Sequence, residues 1–523
     1  MDTLEQKWKE TCRIVLGEEV GGLEAFLPWL GVHPGPVFTK KSSVSGQDVI
    51  YESREYAGGR FISLDEVDFS AKAPPLGEIR ARSLAELAES LRPRVCYAGN
   101  IVLGNSREVS RSSNVSDCYY VYETMQHSAS KYCLKISFGR ENECVFGSYG
   151  PGESAFCVSC SQLVRVKRSL EAWNCTHCSD CYYSYGLDNC QDCIFCFHLK
   201  NRRHCVGNVQ LEPAQYAAVK RRLLGEMVRE LREKKSLPTL MDIAGRCASD
   251  KPAIRGAPED ENSSPSSDRR QIEGAFSQAS KTLFEKPLSD IDDYGPWLLR
   301  HVKPMEERRS AISAKPLGVC PKTMSLIPIP KDRVVGMREA DAIGQSVQAD
   351  PGRVERICLS NAHELISKLA YFDMDFWIGQ NSNIVYCVVS VHSSDCYRMA
   401  APVYSKLCAY SFWCVRSESC FGCDTIFDSS CCVNCYYSLK LTRCFELDSS
   451  RDCSDCLFSH NIENCQDCMF CFNVKAKRYA IGNVEMKKED YLRVKKMLLA
   501  EIAHTLGKDK KLDLDIYNVG AKP

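Results

Sequence analysis

The residues best equipped for chemistry are cysteines. Cys178-x2-Cys181-x8-Cys190-x2-Cys193 recurs as Cys453-x2-Cys456-x8-Cys465-x2-Cys468. Paired Cys-x2-Cys knuckles supply four thiolates to one tetrahedral ion, so these eight side chains are candidate zinc ligands. A second pattern is the triplet Cys-x2-Cys-x2-Cys, at Cys175, Cys178, Cys181, at Cys190, Cys193, Cys196 and at Cys465, Cys468, Cys471. Bacterial ferredoxins begin this way but add a fourth cysteine followed by proline, which none of these triplets does. Ser450 also stands where the second half would repeat Cys175, which argues against an iron–sulfur cluster. The third reading needs no metal. A thiol is a small apolar group, and the cysteines would fill a narrow interior.

The spacing of the whole set favours that third reading. Cys396, Cys408, Cys420, Cys432, Cys444, Cys456 and Cys468 recur every twelve residues. Cys133, Cys157, Cys181, Cys193 and Cys205 keep the same beat, with Val145 and Ser169 at the skipped steps. A constant period means one structural unit stacked on the next. Twelve residues are too few for a helical hairpin repeat; they suit one coil of a narrow β-solenoid, with two short strands and two tight corners. Stacked coils repeat each position about 4.8 Å above itself, so equivalent cysteines form a ladder. Two such columns three residues apart produce the Cys-x2-Cys spacing automatically. A shared zinc would need sulfurs less than about 4 Å apart, closer than neighbouring coils stand. Valine and serine at ladder steps fit a packed interior and not a ligand set. His177, His198 and His204 have Asp452, Asn473 and Tyr479 as counterparts, which removes them as essential ligands.

The residues flanking the ladder repeat as well. Asp precedes the cysteine in Asp180-Cys181, Asp192-Cys193, Asp455-Cys456 and Asp467-Cys468. It is expected to bond its own backbone two residues on, as tight corners require. Bulky residues follow, as in Tyr182-Tyr183 and Leu457-Phe458, and are expected to stack into an aromatic stripe packed on the rest of the chain.

The chain is a tandem duplication. The segment 189–197 returns almost unchanged 275 residues later, and the same offset pairs Gly207 with Gly482 and Tyr216 with Tyr491. Upstream the offset becomes 278, pairing Asp117-Cys118 with Asp395-Cys396 and Ser83 with Asn361. The expected fold is mainly β with capping helices: two tandem β-solenoid lobes packed as a pseudo-dimer. The N-terminal lobe spans 1–246, with its solenoid over about 96–210 and a capping helix over 211–234. The C-terminal lobe spans 296–523, with its solenoid over about 380–485 and a capping helix over 487–506. Each helix carries one apolar face, Tyr216, Val219, Leu223, Met227 matching Tyr491, Val494, Leu498, Ile502. Ser83-x-x-Glu86 and Asn361-x-x-Glu364 read as capping boxes of short helices that open each solenoid. The region 247–295, rich in Asp, Glu, Ser, Pro and Arg, reads as a flexible linker. Residues before about 80 and over 296–360 read as mixed strand and loop.

Composition bounds the function. The 523 residues carry zero net charge and 44% hydrophobic side chains, ample for two cores and without a global field toward nucleic acid or membrane. The polar start Met1-Asp2-Thr3 lacks a signal peptide's apolar region, and no run of eighteen apolar residues exists to span a membrane. A chain with 32 cysteines and no export signal is expected in a reducing cytoplasm. No Gly-rich phosphate loop, Gly-x-Ser-x-Gly elbow or His-Glu-x-x-His sequence is present, so no catalytic residue is assigned and an enzyme is not expected. The loop after the last cysteine coil is basic in both halves, with Lys200, Arg202, Arg203 and Lys475, Lys477, Arg478. Clustered cations beside aromatics can hold an acidic protein or a nucleic-acid backbone, against the plainer reading of a solvated face.

The stretches 199–208 and 474–483 follow the cysteine arrays directly and lead into the helices bearing Tyr216 and Tyr491. In this arrangement the chain resembles a family of cysteine-rich repeat proteins of candidate-phylum bacteria and archaea, often labelled CaiB/BaiF-like. The resemblance covers the solenoid and cap of each half, about half the chain. The chain departs from it in being duplicated and in sparser cysteines between Cys96 and Cys157. No residue here supports the CoA-transferase chemistry of that label, and no functional residue carries over. The expected function is a non-enzymatic cytoplasmic binding or scaffold protein with a protein partner and no cofactor; the alternative is a zinc protein using the Cys-x2-Cys arrays.

Overall fold

A computed structural model describes residues 2–33, 37–51, 55–56, 58–71, 73–75, 83–134, 143–147, 152–159, 163–254, 269–320, 328–375 and 377–521. These are mainly strand with some helix, 34% against 28%, and the sheets are not closed into a barrel. An eleven-stranded sheet lies in the first half and a twelve-stranded one in the second. Within them nearly all neighbours are parallel and twelve residues apart. Cys133 pairs with Val145, Val145 with Cys157, Cys157 with Ser169, Cys181 with Cys193 and Cys193 with Cys205. In the second half Ile384 pairs with Cys396, Cys420 with Cys432 and Cys468 with Ala480. The columns read from the sequence are therefore hydrogen-bonded columns, valine and serine steps included.

Inside the twelve runs a faster beat. From Arg165 to Gly207, and from Asn383 to Gly482, every third residue has positive φ. That makes four left-handed corners per unit, where two were expected. Each costs a non-glycine residue about 1–2 kcal/mol in isolation, so only the ladder bonds on either side hold the chain in this path. The residue after each corner turns inward: Cys175, Cys178, Cys181, Ser184, Leu187 and Cys190 are all buried. The Cys-x2-Cys and triplet spacings are this three-residue beat.

The Asp before each cysteine occupies such a corner, with φ of 55° at Asp180 and 50° at Asp467, a conformation Asp tolerates. Its carboxylate does not serve its own turn as expected. Asp180 accepts Arg168 and Asp455 accepts Arg443, one unit away, both at 2.6 Å. Asp192 and Asp467 accept Lys220 and Lys495 at 2.9 and 3.0 Å.

The helices Pro213–Lys234 and Lys488–Asp509 form as expected, with the predicted apolar faces buried. Each packs on the last parallel strand of its half, Arg203–Val206 or Arg478–Ile481, and reaches back along the units: Lys220 meets both Asp180 and Asp192, and the Tyr183 hydroxyl donates to the Pro238 carbonyl just past the helix. Each last unit also meets the other half. The Gly207 carbonyl accepts the Ala349 N–H at 2.9 Å, and the Gly482 carbonyl accepts Arg94 at 3.2 Å. A Cβ added at Gly344, in the helix Met337–Ser346, would stand 2.0 Å from the His198 carbonyl oxygen, so that helix approaches the first half closely enough to require glycine. The exchange is reciprocal. Leu359 N–H donates to Glu226, and Leu84 N–H to Glu501, its mate at the 275 offset. One apolar core combines residues between 4 and 244 with residues between 319 and 372; the other combines 49–97 with residues between 272 and 519.

The flexible linker over 247–295 is corrected in part. Arg270–Phe284 is a helix that buries Ile272, Phe276, Leu283 and Phe284 against the second stack. Its mate is Asp2–Leu16, whose Leu4, Trp8, Val15 and Leu16 precede those four by 268 residues. Residues 255–268 of that linker lie outside the described residues. Helices Asp2–Leu16 and Met337–Ser346 likewise replace the mixed strand and loop expected there. Ser83 caps the helix Leu84–Leu91 by accepting the Glu86 N–H at 3.1 Å, whereas after Asn361 only four residues, Ala362–Leu365, are helical.

Candidate functional site

The candidate zinc ligands lie in two interior clusters, one per half, built mostly of cysteine. Thirty of the cysteines, all eight candidate ligands among them, are free thiols. The sulfurs point at carbonyl groups. Cys178 donates to Thr176 and Leu187 carbonyls at 3.1 and 3.5 Å, and Cys190 to those of Asp188 and Leu199 at 3.4 and 3.3 Å. Cys453 does the same with Arg451 and Ile462, and Cys468 with Gln466 and Lys477. Cys181, Cys456 and Cys465 follow the pattern, and Cys193 donates to Gln191. Among the described residues no group of three or more His, Cys, Asp and Glu side chains is disposed to hold a metal ion. Burial pushes the thiols of Cys175, Cys196, Cys396 and Cys414 well above their ordinary range, and that of Cys387 up to about 12. Such thiols are weak nucleophiles at neutral pH.

Three of the six basic candidates are answered by carboxylates of the chain. Lys200 pairs with Asp341 of the other half at 2.8 Å, Lys475 with Glu463 at 2.8 Å and Lys477 with Glu485 at 3.4 Å. The Arg478 guanidinium lies over the Tyr479 ring, and Arg202 and Arg203 are exposed.

Two buried polar nests occupy matching places in the halves. In the first, His33 Nε2 stands 2.7 Å from Glu171, whose other oxygen accepts the Trp173 indole and the Leu240 N–H. In the second, Glu446 accepts the Asn434 amide at 3.0 Å and the Ile516 N–H at 2.9 Å, and burial pushes its carboxyl up to about 8. Beside it, the fully buried Asp448 accepts the hydroxyls of Tyr56 at 2.5 Å and Tyr517 at 3.3 Å, and meets His460 Nδ1 at 2.7 Å. His460 Nε2 accepts the Ala98 N–H at 2.9 Å, which leaves the proton on Nδ1 and the ring neutral. Tyr56 and Ala98 belong to the first half, Asp448 and His460 to the second. The nest is a clasp.

Lys475 also borders a cleft of about 290 Å³ where the halves meet. The second half supplies Trp413, Phe427 and Tyr437 toward one end and Arg451, Glu463 and Lys475 toward the other; the first supplies Leu64, Phe69 and Leu103. Trp413 and Phe427 meet edge to face at 5.1 Å, Lys475 lies 4.6 Å over the Phe69 ring, and Arg451 pairs with Glu463 at 2.5 Å.

No family model matches the chain, and neither a curated protein nor a solved structure does. Its function is argued from its own residues.

Of the cleft, sequence reasoning found only Lys475. The nests carried a signal that went unused: His33 and His301, and Glu171 and Glu446, recur at the offsets of the duplication. Among the described residues no helix is long and apolar enough to cross a membrane.

Proposed function

We propose that this chain is a non-enzymatic binding scaffold of the reducing cytoplasm, made of two β-solenoid lobes packed as a pseudo-dimer. Each coil has twelve residues, four corners and an interior filled largely by thiols. The observation that carries this reading is the parallel register at twelve residues, kept by nearly all paired strands of both sheets, which stacks like side chains into long, regular faces suited to a partner. Some of those faces are buried within the chain, such as the Tyr183–Phe195 and Phe458–Phe470 stacks. Others are open: His392 and Tyr404 stack at 5.0 Å, and Tyr386 and Tyr404 are 64% and 56% exposed. Exposed aromatic rings are the side chains protein interfaces favour. Affinity isolation in reducing buffer tests the reading by comparing wild type with the pair Tyr386→Ala, Tyr404→Ala. A polypeptide held one-to-one by the first and lost by the second is expected. Nucleic acid retained instead, and released by Arg202→Glu with Arg203→Glu, would replace the protein partner; no retained partner of either kind would sink the binding role.

The zinc alternative draws on the repeated Cys-x2-Cys knuckles and has its own test. Elemental analysis of anaerobically purified protein should give well under one equivalent of zinc or iron, with all 32 thiols titratable after denaturation. Cys181→Ala and Cys193→Ala should each cost about 1–3 kcal/mol, the cavity left by a small buried group. One bound equivalent, lost in those variants, would overturn the ladder in favour of a metal site.

A further inference from the structure

We propose that the cleft between the halves binds a small planar aromatic molecule carrying one carboxylate. The inference deepens the binding role and uses a surface separate from the Tyr386–Tyr404 stripe. The first support comes from comparing each cleft residue with its mate. Phe427, Tyr437, Arg416 and Arg451 of the second half correspond to Gly152, Gln162, Glu141 and Thr176 of the first. On the opposite wall Phe69 corresponds to Ala342, in a stretch where the mates Glu66 and Glu339 keep the same serine contact. The second-half wall thus carries two rings and two cations, and the opposite wall one ring, at positions whose mates carry neither. Trp413 and Lys475 are matched by Phe138 and Lys200, so one aromatic and one basic position are common to the halves. A face needing only to pack or to meet water has no use for that divergence.

The chemistry of the occupant follows from the lining. Trp413, Phe427 and Tyr437 are each partly buried and offer ring faces and edges to a flat apolar group. Toward the other end two cations, Arg451 and Lys475, line the cleft with one carboxylate, Glu463, and a third cation, Arg416, stands at the Trp413 end. Arg416 is neutralised by Asp428, at 2.5 Å. Glu463 answers one charge of the Arg451 and Lys475 pair, which leaves one cation in excess among the lining residues, and the Asp117 carboxylate of the first half also acts on Arg451. A carboxylate beside Arg451 and Lys475, with its ring system against Trp413 and Phe427, answers that lining. The volume, about 290 Å³, suits two fused rings and sits at the small end of ligand sites.

Calorimetric titration of the full chain, reduced, with 2-naphthoate and with its neutral analogue 2-naphthalenemethanol tests the assignment. One site per chain is expected, with the acid bound at least ten-fold more tightly than the alcohol. Arg451→Gln should weaken the acid ten-fold or more and leave the alcohol unchanged. Phe427→Ala, and Phe69→Ala on the more exposed wall, should weaken both ligands, with thermal unfolding confirming that each variant is folded. Absence of saturable binding by either compound overturns the site. Equal affinities for the two compounds, or an Arg451→Gln protein that binds the acid as wild type does, overturn the anion assignment. None of these results bears on partner capture by the Tyr386–Tyr404 face, so the two proposals fail separately.

Discussion

Expressed apart, residues 1–254 and 269–523 should each lack a cooperative fold, and mixing them should restore a one-to-one complex. Neither half closes its own core. Tyr51, Leu84, Leu87, Leu91 and Tyr97 of the first half are at most 4% exposed, all within the core of the second. Five such side chains at about 1.5–3 kcal/mol each account for roughly 10 kcal/mol, comparable with the whole margin of a natural domain. The second half would lose them, and the first would lose Val334, Ile343, Leu369 and Phe372 in the same way. A homodimer of first halves is a poor substitute. Tyr56 would meet Trp173 where it now meets Asp448, and Tyr185 where it now meets His460. Size-exclusion with light scattering and near-ultraviolet circular dichroism would follow the mixing. A monomeric half with a sharp unfolding transition of its own would refute the exchange of segments.

Asp448→Ala should destabilise the full chain by about 3–5 kcal/mol, because it strands several buried donors at once. The hydroxyls of Tyr56 and Tyr517 and the Nδ1 proton of His460 all converge on that carboxylate, and no water reaches it. Tyr56→Phe removes a single donor and should cost about 1–2 kcal/mol. Chemical denaturation gives both values, and hydrogen exchange at the Ala98 amide should speed up in Asp448→Ala as His460 loses its anchor. A loss below about 1 kcal/mol for Asp448→Ala would mean that the clasp does not hold the halves together.

The sequence made the columns plain because hydrogen-bond register and sequence period are the same quantity. Cys181, Cys193 and Cys205 are spaced as they are because their strands are neighbours. The corners were half visible. Cys-x2-Cys-x2-Cys already beats in threes, but expecting two corners assigned that beat to adjacent columns. The helix Arg270–Phe284 escaped because its offset to its mate is 268 where the cysteine arrays keep 275, and because a polar stretch runs straight into it. The exchange of segments left no local mark at all. Leu84–Leu91 has one apolar face whichever half it covers, and only contacts such as Leu84 N–H to Glu501 decide. The cleft was hidden for a related reason: Phe69 and Phe427 lie far apart in the chain, and neither is periodic with the other. In the basic loops the partners of Lys200 and Lys475 were equally out of sight, since their carboxylates sit in the other half, at Asp341, or twelve residues back, at Glu463.

A chain that turns left-handed at every third residue carries something like a reading frame. Deleting one residue would turn the following thiols out to water and bring corner residues inside, for every unit downstream. Deleting three would keep inside and outside but hand each residue to the next side; only twelve would leave the pattern intact. Two irregularities of this sequence obey that grammar: Cys118 stands three residues from the column that contains Val109 and Val121, and the offset between the halves changes by three, from 278 to 275. The departure from it lies at the start of the first sheet, where Val102 pairs with Val115, thirteen residues on, and the corners at Asn100, Gly104 and Glu108 stand four apart.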